Sequence, residues 1–294
     1  MKKKILYWSP FLSNVGTVKS TLNSATALTK FSKDSIDVSL INVCGEWDSY
    51  ENEIKANNLN LIKLNFSYFS YLPKKGYIQS RFSYILIFII SFIPLIKLLL
   101  KYKPDYLIIH LITSLPLLIN YFFRPKSKLI LRISGFPKLN PIRKFFWKIT
   151  TKKIFKITCP SNELVINLKN KQFLDNEKIL FLPDAIININ KISKQKNQKI
   201  EKKTDRKFFL SVGRLTKQKN FKYLINETSK FFKKNHNFDL YIVGEGEKRD
   251  ELQNLINKNN LNNRIFLIGF SNNVYAYMKN ASLFILSSLW EDPG

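Results

Sequence analysis

Short apolar runs rich in β-branched and aromatic residues recur along this 294-residue chain, and stretches of helical rhythm separate them. Seven such runs occupy residues 5–8, 36–43, 59–64, 106–110, 129–133, 154–159 and 179–182; four more occupy 208–212, 240–243, 265–268 and 283–286. Connections of this length suit helical crossovers rather than hairpins, and strands that are apolar throughout suit a sheet covered on both faces. The pattern predicts an α/β chain with two parallel, Rossmann-like sheets whose ligands sit beyond the carboxyl ends of the strands.

A lysine-rich stretch marks the division. Between Lys191 and Lys207 the apolar residues thin to Ile192 and Ile200, while eight of seventeen positions are Lys or Arg. We expect a first domain over 1–190, a basic linker over 191–207 and a second domain over 208–294, each long enough for its own core. Cys44 and Cys159, with His110 and His236 as the two histidines, form neither a zinc spacing nor a disulfide framework, so no metal or cofactor is expected. The apolar run after Met1-Lys2-Lys3-Lys4 is too short for a signal peptide, and a reducing cytoplasm is the expected location. A net charge of +27, from 48 basic and 21 acidic residues, favours an anionic partner: a nucleotide diphosphate, an anionic membrane surface or, ranked last because no binding module accompanies the charge, nucleic acid. A lysine-rich composition bias explains part of the same surplus.

The densest functional signal is Phe208-Phe209-Leu210-Ser211-Val212-Gly213-Arg214-Leu215-Thr216-Lys217-Gln218-Lys219-Asn220-Phe221. A strand ends at Gly213, two cations follow at Arg214 and Lys219, and a helical face of Phe221, Leu224, Ile225, Thr228 and Phe232 begins, with Asn220 as its expected N-cap. Glycine admits a ligand close to the backbone, Arg214 can fork onto two phosphate oxygens, and Lys219 can act as a point charge. Helix-start surface cations are the plain alternative.

This stretch, with Leu240-Tyr241-Ile242-Val243-Gly244-Glu245-Gly246, then Ile265 to Phe270, then Leu286-Ser287-Ser288-Leu289-Trp290-Glu291-Asp292-Pro293-Gly294, resembles the second domain of retaining glycosyltransferases of the GT-B fold, family four (glycosyl transferases group 1). The resemblance implies two Rossmann-like domains with sheets facing a cleft, a UDP-sugar or GDP-sugar donor, and catalysis by Glu291, Arg214 and Lys219. It further implies donor contacts from Gly213, Gly244, Gly246, Gly269 and Phe270. Glu291 matches the first glutamate of the family's E-x(7)-E motif, implied to touch donor hydroxyls and steady a positive sugar ring; attack from the leaving-group face needs no protein nucleophile. The second glutamate would fall at position 299, so the second domain is expected to be incomplete, as a fragment or a truncated gene, with independent activity in question.

In the first domain the resemblance is one of pattern. Gly16, beside Val15, is what remains of a glycine-bearing loop that approaches acceptor and donor; a turn glycine fits equally. His110 ends a strand and can face the cleft or serve as a structural histidine. In Leu131-Arg132-Ile133-Ser134-Gly135-Phe136-Pro137, Ser134 stands where many relatives carry a sugar-contacting histidine. A hydroxyl can donate a hydrogen bond there but cannot carry charge.

Two further stretches bear on location. Residues 82–100 are the most apolar, interrupted by Pro94 and Lys97; the uninterrupted part, 82–96, is shorter than the ~18–20 residues that span hydrocarbon, so a buried or membrane-surface helix is expected. Lys74, Lys75, Arg81, Lys97, Lys101 and Lys103 flank it, and Arg143 to Lys156 interleaves cations with Phe145, Phe146, Trp147 and Phe155. Both suit acidic headgroups, and both suit an ordinary helix with a solvated rim. The expected function is retaining transfer of a hexosyl-type sugar to a polysaccharide or lipid-linked acceptor in lipopolysaccharide or polysaccharide biosynthesis, peripheral to the inner face of the cell membrane. Two alternatives stay open: a non-catalytic remnant that binds nucleotide or a partner, and a basic membrane- or nucleic-acid-binding protein.

Overall fold

The structure is a computed structural model that describes residues 2–13, 16–32, 35–73, 77–137, 139–185, 188–201 and 203–291. Val15, Lys74, Lys75, Asp292, Pro293 and Gly294, named above, lie outside the described residues. The chain divides into two compact units, residues 1–186 and 187–291.

In the first unit strands and helices alternate: β1 (Lys3–Trp8), α1 (Gly16–Phe31), β2 (Ile36–Asn42), α2 (Glu51–Ala56), β3 (Asn60–Lys63), α3 (Tyr77–Tyr102), β4 (Tyr106–Ile109), α4 (Ser114–Phe123), β5 (Lys128–Arg132), α5 (Pro141–Thr150), β6 (Lys156–Cys159), α6 (Asn162–Asn170) and β7 (Ile179–Phe181). Every strand pairing is parallel, in the order β3-β2-β1-β4-β5-β6-β7. All seven expected runs form strands. The order turns back at β1, whose neighbours are β2 and β4, so the loops after β1 and β4 diverge and leave a crevice between them. Alternate residues of β1 serve two cores: Leu6 and Trp8 on one face, Ile5 and Tyr7 on the other.

Helix α3 corrects the expected length of the apolar segment. It runs unbroken for 26 residues through Pro94, about 39 Å at 1.5 Å per residue. Ser83, Ile87, Ser91, Leu95 and Leu99 form its buried stripe, a spacing of four that holds the helix on the sheet on both sides of the proline. Among the described residues, the span Ile78–Tyr102 is the one helix long and apolar enough to cross a membrane.

In the second unit α7 (Ile189–Gln195) leads into β8 (Lys207–Val212), α8 (Phe221–Phe232), β9 (Phe238–Val243), α9 (Arg249–Lys258), β10 (Ile265–Gly269), α10 (Val274–Asn280) and β11 (Leu283–Phe284). The segment read as a linker therefore contributes a helix, with Asn188 as its cap; Asn273 Nδ2 donates to the Gln195 carbonyl, which holds its end to the second unit. The sheet is parallel, in the order β10-β9-β8-β11, so the turn-back point lies between β8 and β11. Helix α8 buries Phe221, Leu224, Ile225, Thr228 and Phe232, as its periodicity predicts. Asn220 corrects the cap assignment: it adopts a left-handed conformation, φ 52°, and its side chain caps nothing. Asparagine tolerates that conformation better than most residues, so its place here follows from the turn before the helix.

Candidate functional site

The turn-back point of the second sheet brings together two loops far apart in sequence. The loop after β8 carries Gly213, Arg214 and Lys219; the segment after β11 carries Ser287 to Glu291. Leu215 is buried and pins the first loop. Ser287 Oγ donates to the Lys219 carbonyl at 2.8 Å, Leu289 N to the Gln218 carbonyl at 2.8 Å, and Gln218 Nε2 to the Trp290 carbonyl at 3.0 Å. Across this seam Lys219 Nζ meets Glu291 Oε1 at 2.6 Å, and Ser288 Oγ donates to the same oxygen. Burial pushes the Glu291 carboxyl up, but the hydrogen bonds from Lys219 and Ser288 and the lysine's charge outweigh it and hold the group below its ordinary value. The carboxylate is thus fixed, ionised and half exposed beside a cation. Ser287 and Ser288 had no separate signal in the sequence beyond their place in the motif.

Gly213 and the glycines after β9 have a geometric reason to be glycine. A Cβ on Gly213 would lie 3.1 Å from the Lys219 side chain, which crosses it. A Cβ on Gly244, at φ +147°, would lie 1.9 Å from the Gly213 carbonyl oxygen, and one on Gly246 would lie 2.5 Å from that of Leu215. The two loops therefore stack backbone to backbone, with Gly213 N donating to Val243 O and Leu215 N to Glu245 O. Gly269, φ +90°, lies under Glu245, whose carboxylate pairs with Arg249 Nη1 at 2.7 Å; Phe270 beside it is exposed. Arg214 is exposed on the same loop as Lys219.

In the first unit the loops after β4 and β5 enclose a cavity of about 900 Å³ lined by Arg81, His110, Ser134, Gly135, Arg143 and Trp147, among others. His110, Ser134 and Gly135 are thereby brought together. Gly16 is not among the lining residues; it opens α1 with free space around its Cα. His110 is buried, and burial first, then the charge of Arg132, push its pKa down to about 3 against the opposing pull of Asp184. Thr21 Oγ1 donates to Thr17 O, so it accepts from His110 Nδ1 at 3.2 Å; this network assigns the proton to Nδ1 and leaves Nε2 as an acceptor. A neutral imidazole of this kind accepts a hydrogen bond but does not serve as a general acid. Beneath it Arg132 and Asp184 form a buried ion pair, with Ser20 Oγ donating to Asp184 at 2.7 Å. Arg143 stacks over Trp147, guanidinium to ring 5.0 Å. Sequence reading placed Arg81 and Arg143 only in basic flanks, since their convergence depends on how α3 and α5 meet the sheet.

No group of three or more His, Cys, Asp or Glu among the described residues could hold a metal ion.

Residues 192–294 match the family described as Glycosyl transferases group 1, a span that contains Gly213, Arg214, Lys219, Gly244, Gly246, Gly269, Phe270 and Glu291. An uncharacterised glycosyltransferase of Methanocaldococcus jannaschii is 30% identical over 224 residues, 67% of this chain and 53% of the relative. The N-acetylgalactosamine-N,N'-diacetylbacillosaminyl-diphospho-undecaprenol 4-alpha-N-acetylgalactosaminyltransferase of Campylobacter jejuni is 30% identical over 58% of this chain and 47% of its own length. The chain thus spans about half the length of these curated relatives. Among solved structures, Anabaena HepE in complex with UDP and glucose superposes with a TM-score of 0.64 at 14% identity, over 99% of this chain and 76% of that one. Residues 192–294 thus carry the sequence of the group 1 glycosyl transferases, and the chain has the fold of GT-B glycosyltransferases.

Proposed function

We propose that the protein transfers a sugar from a nucleotide diphosphate sugar to a lipid-linked or polysaccharide acceptor with retention of anomeric configuration. The observation that carries this reading is the convergence of Lys219, Gly213 and Glu291 at the turn-back point of the second sheet. When the anomeric C–O bond breaks, negative charge gathers on the departing diphosphate and positive charge on the ring. Arg214 and Lys219 neutralise the first, so the proposal needs no metal or cofactor; Glu291 faces the second. The acceptor oxygen bonds to the anomeric carbon on the face the diphosphate leaves, and its proton passes to the departing phosphate oxygen. Glu291 is then a stabiliser of charge, already paired with Lys219, rather than a nucleophile. Gly244, Gly246, Gly269 and Phe270 border the loop that would take the base, and uridine is the first base to test because HepE was solved with UDP. In the first unit His110 Nε2 and Ser134 offer a hydrogen-bond acceptor and a donor to sugar hydroxyls.

The Campylobacter relative, whose name gives a diphospho-undecaprenol acceptor, supports a lipid-linked acceptor; action peripheral to the inner face of the cell membrane is part of the proposal. The reading is tested by incubating the chain with UDP-sugars and GDP-sugars and lipid-linked glycans, and assigning the new linkage by NMR. A product whose anomeric configuration matches the donor is expected. An inverted product would overturn the retaining assignment, and no transfer from any donor would overturn the enzyme.

A further inference from the structure

We infer that Ser288 is a positioning residue for the proposed transfer: its hydroxyl holds one oxygen of Glu291, so that the other stays presented to the sugar ring while Lys219 engages the diphosphate. The inference rests on the donor half of the proposed function and adds to it a residue that acts through Glu291. Two donors converge on a single atom, for Lys219 Nζ lies 2.6 Å from Glu291 Oε1 and Ser288 Oγ donates to the same oxygen. Glu291 Oε2 takes no hydrogen bond from the described residues, and the side chain is 46% exposed, so Oε2 is the acceptor left for a ligand. Hydrogen bonds to an sp² oxygen lie near its plane, so two of them on Oε1 fix the plane of the carboxylate as well as its place.

The serine can do this because the chain around it is tied down. Ile285 N donates to Leu210 O at 2.8 Å, and Ser211 Oγ donates to Ile285 O at 2.7 Å. Ser287 Oγ donates to Lys219 O, Leu289 N to Gln218 O, and Gln218 Nε2 to Trp290 O. Residues 285, 287, 289 and 290 are thus bound to β8 or to the loop after it, and Ser288 sits on a fixed backbone between them. Lys219 has two duties in the proposed transfer: its ammonium holds Oε1, and it must also meet the charge that gathers on the departing diphosphate. As it moves toward phosphate its hold on Oε1 weakens. Ser288 has one duty, and its neutral hydroxyl bonds best to the ionised carboxylate. Burial pushes that carboxyl up, while Lys219, the charged group acting on it, and Ser288 pull it down. A carboxylate that lost both donors would take up a proton more readily and no longer steady a positive ring.

The experiment measures sugar transfer, UDP and GDP binding, and titration of the Glu291 carboxyl in the full chain. It compares wild type with Ser288→Ala, Ser288→Thr, Glu291→Gln and the double variant Ser288→Ala with Glu291→Gln. Ser288→Ala should lower kcat about tenfold, the scale of one charge-assisted hydrogen bond, while KM for the donor and nucleotide affinity change by no more than about twofold. The acid limb of its kcat profile should move to higher pH. So should the titration of the Glu291 carboxyl carbon in labelled protein, a resonance assigned by its absence from Glu291→Gln. Ser288→Thr keeps the hydroxyl and should restore kcat to within about threefold of wild type. In the Glu291→Gln chain the further change Ser288→Ala should cost less than about twofold, because the charge it orients is gone. Nucleotide binding by Ser288→Ala checks that it is folded. An unmoved carboxyl titration overturns the inference, and so does a tenfold loss that persists in the Glu291→Gln chain. Nucleotide affinity that falls in step with kcat, or a loss that threonine does not restore, overturns it too, since either marks a bond that only shapes the turn. Any of these results with an active wild type strikes the role of Ser288 alone; absence of transfer by the wild type overturns the donor reading and this inference together.

Discussion

Lys219 and Glu291 stand 72 positions apart in the sequence and 2.6 Å apart in the fold. The pair exists because β11 returns to the side of β8 that β9 leaves open, so the segment after β11 falls beside the loop after β8. A diphosphate that engages Lys219 must share it with a carboxylate of its own sign. Replacing Glu291 with glutamine should therefore leave UDP affinity equal or tighter while transfer falls by about a hundredfold, the usual scale for removing one electrostatic stabiliser of a transition state. Calorimetry and a turnover assay on the same preparation check both halves. Weaker binding with unchanged turnover would contradict the role given to Glu291.

The same pair carries a pH signature. The folded Glu291 carboxyl lies below its ordinary 4.5, so the unfolded chain takes up a proton first as pH falls. Whatever the ion pair contributes is complete above the unfolded value and is lost as pH drops through the folded one. The stability difference between the wild type and Glu291→Gln should be flat at neutral pH and shrink below about pH 5. Urea denaturation across that range measures it.

His110 gives the second pH effect, in the same direction. Its folded pKa of about 3 lies below its ordinary 6.5, so the unfolded chain binds a proton between these values and the folded chain does not. Stability should fall as pH drops from about 6.5 towards 3, and the His110 ring resonance should stay put between pH 8 and pH 5 in an NMR titration. A midpoint near 6.5 would show that the ring is not in the buried, neutral form that the network with Thr21 describes.

Gly244→Ala tests the stacking of the two donor loops. The new methyl carbon would meet the Gly213 carbonyl at 1.9 Å in a backbone conformation that L residues rarely adopt. We expect a loss of about 3 kcal/mol in urea unfolding, the upper range for forced overpacking, with weakened UDP binding. Gly16→Ala is the control: nothing lies within 4 Å of the added carbon, so stability should change by no more than about 0.5 kcal/mol and rise if it changes at all.

Removing one half of the buried pair beneath His110 should cost more than removing a surface ion pair. Asp184→Asn leaves the Arg132 guanidinium buried with the Leu182 carbonyl but no counter-charge. The expected loss is about 3–5 kcal/mol, read from urea unfolding. A loss below about 1 kcal/mol would mean that Arg132 reaches water.

These sites differ in how plainly the chain advertised them. The strands were legible because each is a short apolar run between helical segments, and α8 because its five buried positions recur at helical spacing. Arg214, Lys219 and Glu291 were legible as a motif. The reason for Gly244 and Gly246 was not, since it lies in contact with Gly213 and Leu215, about thirty residues away in sequence. Asn220 was misread as a cap because asparagine favours both the cap and the left-handed turn, and sequence does not separate them. Pro94 suggested an interruption, yet packing of Ile87, Leu95 and Leu99 on either side keeps α3 whole at the cost of one hydrogen bond. The pairing of Arg81 with Arg143 around one cavity depends on tertiary placement alone.

The most direct test of the account is calorimetric titration of UDP and GDP, at moderate salt, into the wild-type chain and into Arg214→Ala and Lys219→Ala. The account predicts that one of the two nucleotides binds selectively and that each substitution weakens it by about tenfold or more, because each removes a charge-assisted contact to the diphosphate. Equal affinity in wild type and both variants, or binding that ignores the base and fades with salt alone, would contradict it.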